Sequence, residues 1–137
     1  MGLPVAGTNV LVTGASSGIG AALAIALAEA GATVGMVARR EDRLREVLER
    51  CQQQAPESQM WVSDLGDVEA SERLVLEAWD AMGHLDVVVH NAAIPKRRRI
   101  QELTVADLDE VMRVDFTTPA RMTMAVLPRM LERDRGV

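Results

Sequence analysis

Three observations predict an α/β fold built on a doubly wound parallel sheet. Strand-like apolar runs alternate with helical segments along all 137 residues. The first strand-to-helix turn, Thr13-Gly14-Ala15-Ser16-Ser17-Gly18-Ile19-Gly20, is rich in glycine. No repeat, low-complexity tract or linker breaks the alternation. The length suits one domain with a real core, so residues 1–137 are read as a single domain.

The elements follow in order. Asn9–Val12 is a β-branched run that predicts the first strand. Gly18–Ala30 predicts a helix with Ile19, Leu23 and Leu27 as its apolar stripe and Gly31 as its stop. Thr33–Ala38 is the second strand. Glu41–Gln54 is amphipathic, with Leu44, Val47, Leu48 and Cys51 on one face, and Pro56 ends it. Gln59–Val62 is a short third strand. Val68–Met82 is a third helix with Val75, Ala78, Trp79 and Met82 inward, and Gly83 closes it. Leu85–His90 is the fourth strand, carrying the run Val87-Val88-Val89. Thr104, with Asp107 three residues on, marks the N-cap of a long last helix. That helix is expected to reach about Glu132 and to kink near Pro119 and Pro128. The order β-α-β-α-β-α-β-α implies right-handed crossovers and a parallel sheet.

Composition narrows the function. Hydrophobic residues are 48% and aromatic ones 2%, so the core is aliphatic. A net charge of −5 argues against nucleic acid as a partner. One cysteine suits a reducing compartment and allows no internal disulfide. No apolar run is long enough to span a membrane. Met1–Ala6 has no basic leader pattern, and Gly2 lacks the Ser or Thr of a myristoylation signal. A cytoplasmic protein without membrane partners is expected, and no metal site is read.

The glycine turn is built for phosphates. Glycines let the backbone turn tightly and come close to a pyrophosphate, and the helix behind them offers free N–H groups and a positive dipole end. A nucleoside-triphosphate loop is excluded, because no Lys follows Gly18 or Gly20. With its strand before and its helix after, Thr13-Gly14-x-x-x-Gly18-Ile19-Gly20 resembles the cofactor signature of the short-chain dehydrogenase/reductase family. The resemblance runs from Val5 to Val137 and covers the N-terminal portion of that family's fold. It implies a Rossmann-like sheet in the strand order 3-2-1-4, broken off before a fifth strand. It also implies a nicotinamide cofactor held by Gly14, Ser16, Ser17, Gly18, Ile19 and Gly20.

Other family marks follow. Ala38-Arg39-Arg40 stands where NAD-preferring relatives place an acid. A small residue followed by Arg suits a 2′-phosphate, so NADP is expected over NAD, with Arg39 on the phosphate and Arg40 near the adenine. Asp64-Leu65 resembles the adenine-contacting step, the alternative being a turn Asp. His90-Asn91-Ala92-Ala93 resembles Asn-Asn-Ala-Gly with two departures, and Asn91, Ala92 and Ala93 are carried over as cofactor residues. His90 is read as a loop-bonding residue rather than a base. Arg113-Val114-Asp115 matches the family's Val-Asn step, with Val114 beside the cofactor and Asp115 as the candidate catalytic residue. As a carboxylate it accepts hydrogen bonds but does not donate. Lys96-Arg97-Arg98-Arg99 lies in the loop that borders the substrate cleft in this family. It either attracts an acidic substrate or is simply solvated. Cys51 is read as a core filler, and Met112, Met122, Met124 and Met130 as packing. The last helix often forms a dimer interface in this family, so a homo-oligomer is expected through it.

The family's acid is a Tyr with a Lys four residues on, preceded by a catalytic Ser on a fifth strand. This chain has no Tyr, and Lys96 is its only Lys. The fourth strand is expected to be a bare edge. Family activity implies hydride transfer between NADP(H) and an alcohol or carbonyl substrate. The alternatives are a non-catalytic nucleotide-binding module and an inactive fragment.

Overall fold

The computed structural model describes residues 4–137. Met1, Gly2 and Leu3, part of the stretch read for a leader, lie outside them. Strands β1 (Asn9–Thr13), β2 (Thr33–Ala38), β3 (Gln59–Val62) and β4 (Val87–Val89) pair in parallel in the order β3-β2-β1-β4. Helices α1 (Gly18–Glu29), α2 (Glu41–Gln52) and α3 (Val68–Met82) follow the first three strands. After β4 come a 3₁₀ turn at Ile100–Glu102, then α4 (Val105–Met112) and α5 (Thr118–Glu132). Alternation along β1 divides the core. Val10 and Val12 pack with Ala24, Ala28, Leu44 and Val47 of α1 and α2. Leu11 packs with Leu74, Val75, Trp79, Met122 and Val126 of α3 and α5. Among the described residues no helix is long and apolar enough to cross a membrane.

The inward face of α1 matches the expected one only in part: Leu23 and Leu27 pack half-buried against the core, but Ile19 does not. Ile19 is 80% exposed, and the buried positions are Gly20, Ala24 and Ala28. A Cβ at Gly20 would stand 2.3 Å from the Gly14 carbonyl oxygen. The start of the helix therefore lies too close to the turn after β1 for any side chain at Gly20, and small residues fill the fully buried positions. On α2, Leu44, Val47 and Cys51 are buried as the pattern predicts, although the helix stops at Gln52 rather than Gln54. The Cys51 thiol lies against Met36 Sδ at 4.0 Å, and burial pushes its pKa up.

The last helix is interrupted rather than simply kinked at its prolines. Arg113–Thr117 form a π-turn, in which the Thr118 N–H donates to the Arg113 carbonyl. Pro119 sits in the first turn of α5. It has no N–H and would crowd the Asp115 carbonyl in a regular α-turn, so the turn ahead of it widens. Pro128 lies inside α5, which continues past it. The capping box at Thr104 is present, with its side chain taking the Asp107 N–H and the Asp107 carboxylate taking the Thr104 N–H. Of the methionines, Met122 and Met130 are buried, while Met112 and Met124 are 47% and 69% exposed.

The β4 edge is not bare. Beyond α5 the chain turns at Asp134, in the left-handed region at φ 51°. Val137 then donates its N–H to the Asp86 carbonyl and accepts from the Val88 N–H, both at 2.9 Å. These are the bonds by which a parallel strand enters beside β4. Asp86, 2% exposed, anchors this corner. Its Oδ2 accepts the Asn9 N–H at 2.9 Å and faces His84 Nε2 at 3.1 Å, while Arg133 and Arg135 approach Oδ1 at 3.6 and 3.5 Å. Burial alone would raise its pKa. The Asn9 N–H and the His84 and Arg133 charges outweigh it, and the pKa falls.

Candidate functional site

A cavity of about 680 Å³ lies at the carboxyl ends of the strands. The strand order makes this the place where the chain, having gone from β1 to β2 and β3, returns to the other side of β1 as β4. Its wall comes from the ends of the four strands and from the π-turn. The β1–α1 turn supplies Gly14, Ser16, Ser17, Gly18, Ile19 and Gly20. The end of β2 supplies Ala38, Arg39 and Arg40, and the β3–α3 turn Ser63, Asp64 and Leu65. The stretch after β4 supplies Asn91, Ala92, Ala93, Ile94 and Pro95, and Val114 reaches in from the π-turn. All fourteen residues read from sequence as cofactor contacts thus meet around one cavity.

The glycine turn has two left-handed positions, Gly14 at φ 69° and Gly18 at φ 58°. Gly14 is also confined, since a Cβ there would stand 2.9 Å from Ala92 Cα. Gly18 faces open space, with nothing within 4 Å of such a Cβ. Ser17 is the N-cap of α1, yet its hydroxyl does not cap the helix. That hydroxyl instead accepts from Arg40 Nη2 at 2.6 Å, and Ser16 accepts from the same nitrogen at 3.2 Å. Among the described residues the first-turn N–H groups of α1 have no side-chain partner, which is the donor arrangement an anion takes up. The residues therefore fit a pyrophosphate.

Asn91 braces this turn. Its Nδ2 donates to the Thr13 carbonyl at 3.0 Å and to the Gly14 carbonyl at 3.4 Å. Thr13 Oγ1 accepts the N–H groups of Asn91 and Ala92, each at 3.1 Å. The glycine turn and the end of β4 are thereby locked together. Asp64 makes the turn contact weighed as its alternative role, Oδ1 accepting the Gly66 N–H at 2.9 Å. Leu65 is buried, and its carbonyl accepts from the buried Thr118 hydroxyl at 2.7 Å, tying α5 to the cavity floor.

Asp115 does not line the cavity. It is exposed, and its Oδ1 accepts the Ile94 N–H at 2.9 Å. It acts on the cavity wall through Ile94, using the acceptor capacity that a carboxylate has. His90 points to α5 rather than into its own loop. Its Nε2 lies 2.9 Å from Thr123 Oγ1, and its Nδ1 is buried without a partner among the described residues. Burial lowers its pKa, so the ring is neutral at pH 7.

Ser63, Ile94 and Pro95 were not singled out from sequence. Each adjoins a motif residue, and that adjacency was the available signal. Thr118 had no signal, because its contact joins positions 53 residues apart.

Comparison with known proteins agrees with this geometry. The family model described as short chain dehydrogenase matches residues 8–137. A fatty acyl-CoA reductase of Acinetobacter baylyi is 34% identical over 134 residues, covering 96% of this chain and 45% of that protein. A glucose 1-dehydrogenase of Gluconobacter oxydans is 40% identical over 113 residues, covering 82% of this chain and 42% of that protein. The chain spans less than half the length of these relatives. Among solved structures, a 3-oxoacyl (acyl-carrier-protein) reductase from Agrobacterium tumefaciens with NADP bound superposes with a TM-score of 0.88 at 32% identity, over 96% of this chain and 51% of that one. A metagenomic short-chain oxidoreductase in complex with NADP gives 0.88 at 30% identity, over 98% and 60%. With the glycine turn, the strand order and these matches together, the chain belongs to the short-chain dehydrogenase family.

Proposed function

We propose that this chain is the cofactor-binding part of an NADP-dependent oxidoreductase acting on a small-molecule alcohol or carbonyl substrate. One observation carries the reading. The uncapped first turn of α1 and two arginines, Arg39 and Arg40, line the same cavity. The turn offers N–H groups and a positive dipole end to a pyrophosphate. The arginines offer permanent charge and a planar donor fork to a 2′-phosphate. Two structural neighbours that hold bound NADP support the choice.

In this reading Gly14, Gly18 and Gly20 leave room for the phosphates, and Ser16 and Ser17 present hydroxyls beside them. Asp64 Oδ2 accepts from the adenine amino group, since Oδ1 holds the turn. Ala92, Ala93 and Val114 line the nicotinamide end. Asp115 is a positioning residue that holds Ile94. NADP(H), when bound, supplies or accepts the hydride. The acid–base residues come from outside these 137 residues. A chain with no Tyr favours, for these residues alone, a nucleotide-binding unit without turnover.

Arg39 has no hydrogen-bonding partner among the described residues, whereas Arg40 is engaged with Ser16 and Ser17. Arg39→Ala is therefore expected to weaken NADPH binding about tenfold or more, the scale of one charge-assisted hydrogen bond, and to leave NADH binding unchanged. Titration by nicotinamide fluorescence reads both. Equal loss for the two cofactors would show that Arg39 does not read the phosphate. Wild-type affinity for NADH equal to that for NADPH would end the NADP preference.

The reading includes association through the last helix and a cytoplasmic, reducing location. Val105, Leu108, Met112, Phe116, Leu127 and Leu131 are 40% or more exposed and recur at helical spacing. Phe116→Asp is expected to lower the sedimentation-derived mass towards a monomer. A monomeric wild type at all concentrations would contradict the interface.

A further inference from the structure

The basic loop after β4 divides into two pairs with different surroundings. Lys96 Nζ contacts Glu110 Oε2 and lies 3.3 Å from Asp107 Oδ1. Arg98 Nη1 lies 3.7 Å from Asp107 Oδ2. Asp107 is itself fixed by the capping box, whose Thr104 bonds, with Lys96, hold its pKa down to about 2. Its charge is therefore present throughout the neutral range. Arg98 also donates its N–H to the Lys96 carbonyl at 3.0 Å, so Arg97 sits at the apex of a three-residue turn. Arg97 and Arg99 are exposed and have no carboxylate partner among the described residues. A run that was only solvated would not need two of its members clamped to one helix. The clamp fixes the loop and leaves two guanidinium groups free. It does so immediately after Ile94 and Pro95, which line the cavity. The two arginines follow directly on the stretch Asn91 to Pro95 that lines the cavity, whereas Arg39 and Arg40 come from the end of β2.

We propose that Arg97 and Arg99 dock a phosphate group carried by the substrate at the mouth of the cleft. Guanidinium forks match phosphate oxygens in geometry and charge, and a preset loop loses little freedom on binding. The substrate class is then a carbonyl or alcohol joined through a chain to a phosphate ester, rather than a neutral one. The inference rests on the oxidoreductase reading above, since it assigns the substrate end of the same cleft.

Coenzyme A is a suitable probe, because it is a thiol-ended arm bearing phosphates. Its adenosine phosphates would compete for the cofactor site, so the chain is first saturated with NADPH. Calorimetry with wild type and Arg97→Ala/Arg99→Ala then reads coenzyme A binding, and pantetheine serves as the same arm without phosphate. The expected result is coenzyme A binding to the NADPH-loaded chain, weakened about tenfold or more in the double variant, with NADPH affinity unchanged and no binding of pantetheine. Equal binding by wild type and variant, no coenzyme A binding, or pantetheine binding as well as coenzyme A would overturn the inference and leave the cofactor reading standing. If wild type fails to bind NADPH, the cofactor reading fails and this inference with it.

Discussion

Gly20→Ala is expected to destabilise the chain by about 1–3 kcal/mol and to abolish measurable cofactor binding. The sign runs against intrinsic preference, because Ala for Gly inside a helix ordinarily stabilises by up to about 1 kcal/mol. Here the new methyl would stand 2.3 Å from the Gly14 carbonyl oxygen and 2.4 Å from Asn91 Nδ2. The first obstacle is backbone, and the second is the group that braces the turn. Neither yields without moving α1 off β1 or breaking the Asn91 bonds. Either movement shifts the N–H groups meant for the pyrophosphate. Gly18→Ala is the contrast. Its φ of 58° costs an L-residue about 1–2 kcal/mol, but the methyl meets nothing within 4 Å. Urea unfolding and NADPH titration of both variants separate a packing clash from backbone strain. A Gly20→Ala chain that binds NADPH as wild type does would show that the close seam is not needed.

Asp86→Ala is expected to cost about 2–3 kcal/mol, the scale for removing a buried charged acceptor and leaving its donors unpaired. The Asn9 N–H would lose its side-chain acceptor, and His84, Arg133 and Arg135 would lose their shared counter-charge. The chain beyond α5 would be released from β4, so hydrogen exchange at the Val88 amide should accelerate. Asp86→Asn retains an oxygen for Asn9 and should recover part of the loss. The pH dependence follows from the direction of the shift. The folded pKa is lowered, so the unfolded chain binds the proton more tightly. The stabilisation is present above the unfolded value near 3.9 and is lost as pH falls through the folded one. Asp86→Ala should flatten that acid limb. A variant with unaltered urea midpoint and unaltered Val88 exchange would contradict this account of the corner.

Much of the fold was legible because strand and helix signals alternate cleanly. β2, β3 and α3 have the predicted bounds, since each is flanked by strong breakers or caps such as Gly31, Pro56 and Gly83. The cavity wall was legible for a related reason. In a parallel sheet every strand ends at the same side, so motifs at the ends of β1, β2, β3 and β4 must converge. What stayed hidden depends on distances that periodicity does not encode. On α1 the expected Leu23 and Leu27 do pack against the core, half-buried, but Ile19 faces outward and the fully buried positions are the small Gly20, Ala24 and Ala28. The π-turn depends on Pro119 acting on residues before it. The engagement of Arg40 by Ser17, the turn of His90 towards Thr123 and the return of Val137 to β4 are tertiary contacts between distant positions.

The central claim is that the first turn of α1 receives the cofactor's phosphates. Residue-resolved NMR of the isotope-labelled chain during an NADPH titration tests it most directly. The account predicts saturable shifts at the amides of Gly18, Ile19 and Gly20, together with Arg39, while exposed α2 amides such as Glu46 stay still. Saturable binding that leaves Gly18 to Gly20 unmoved would place the nucleotide elsewhere and contradict it, as would no binding at all.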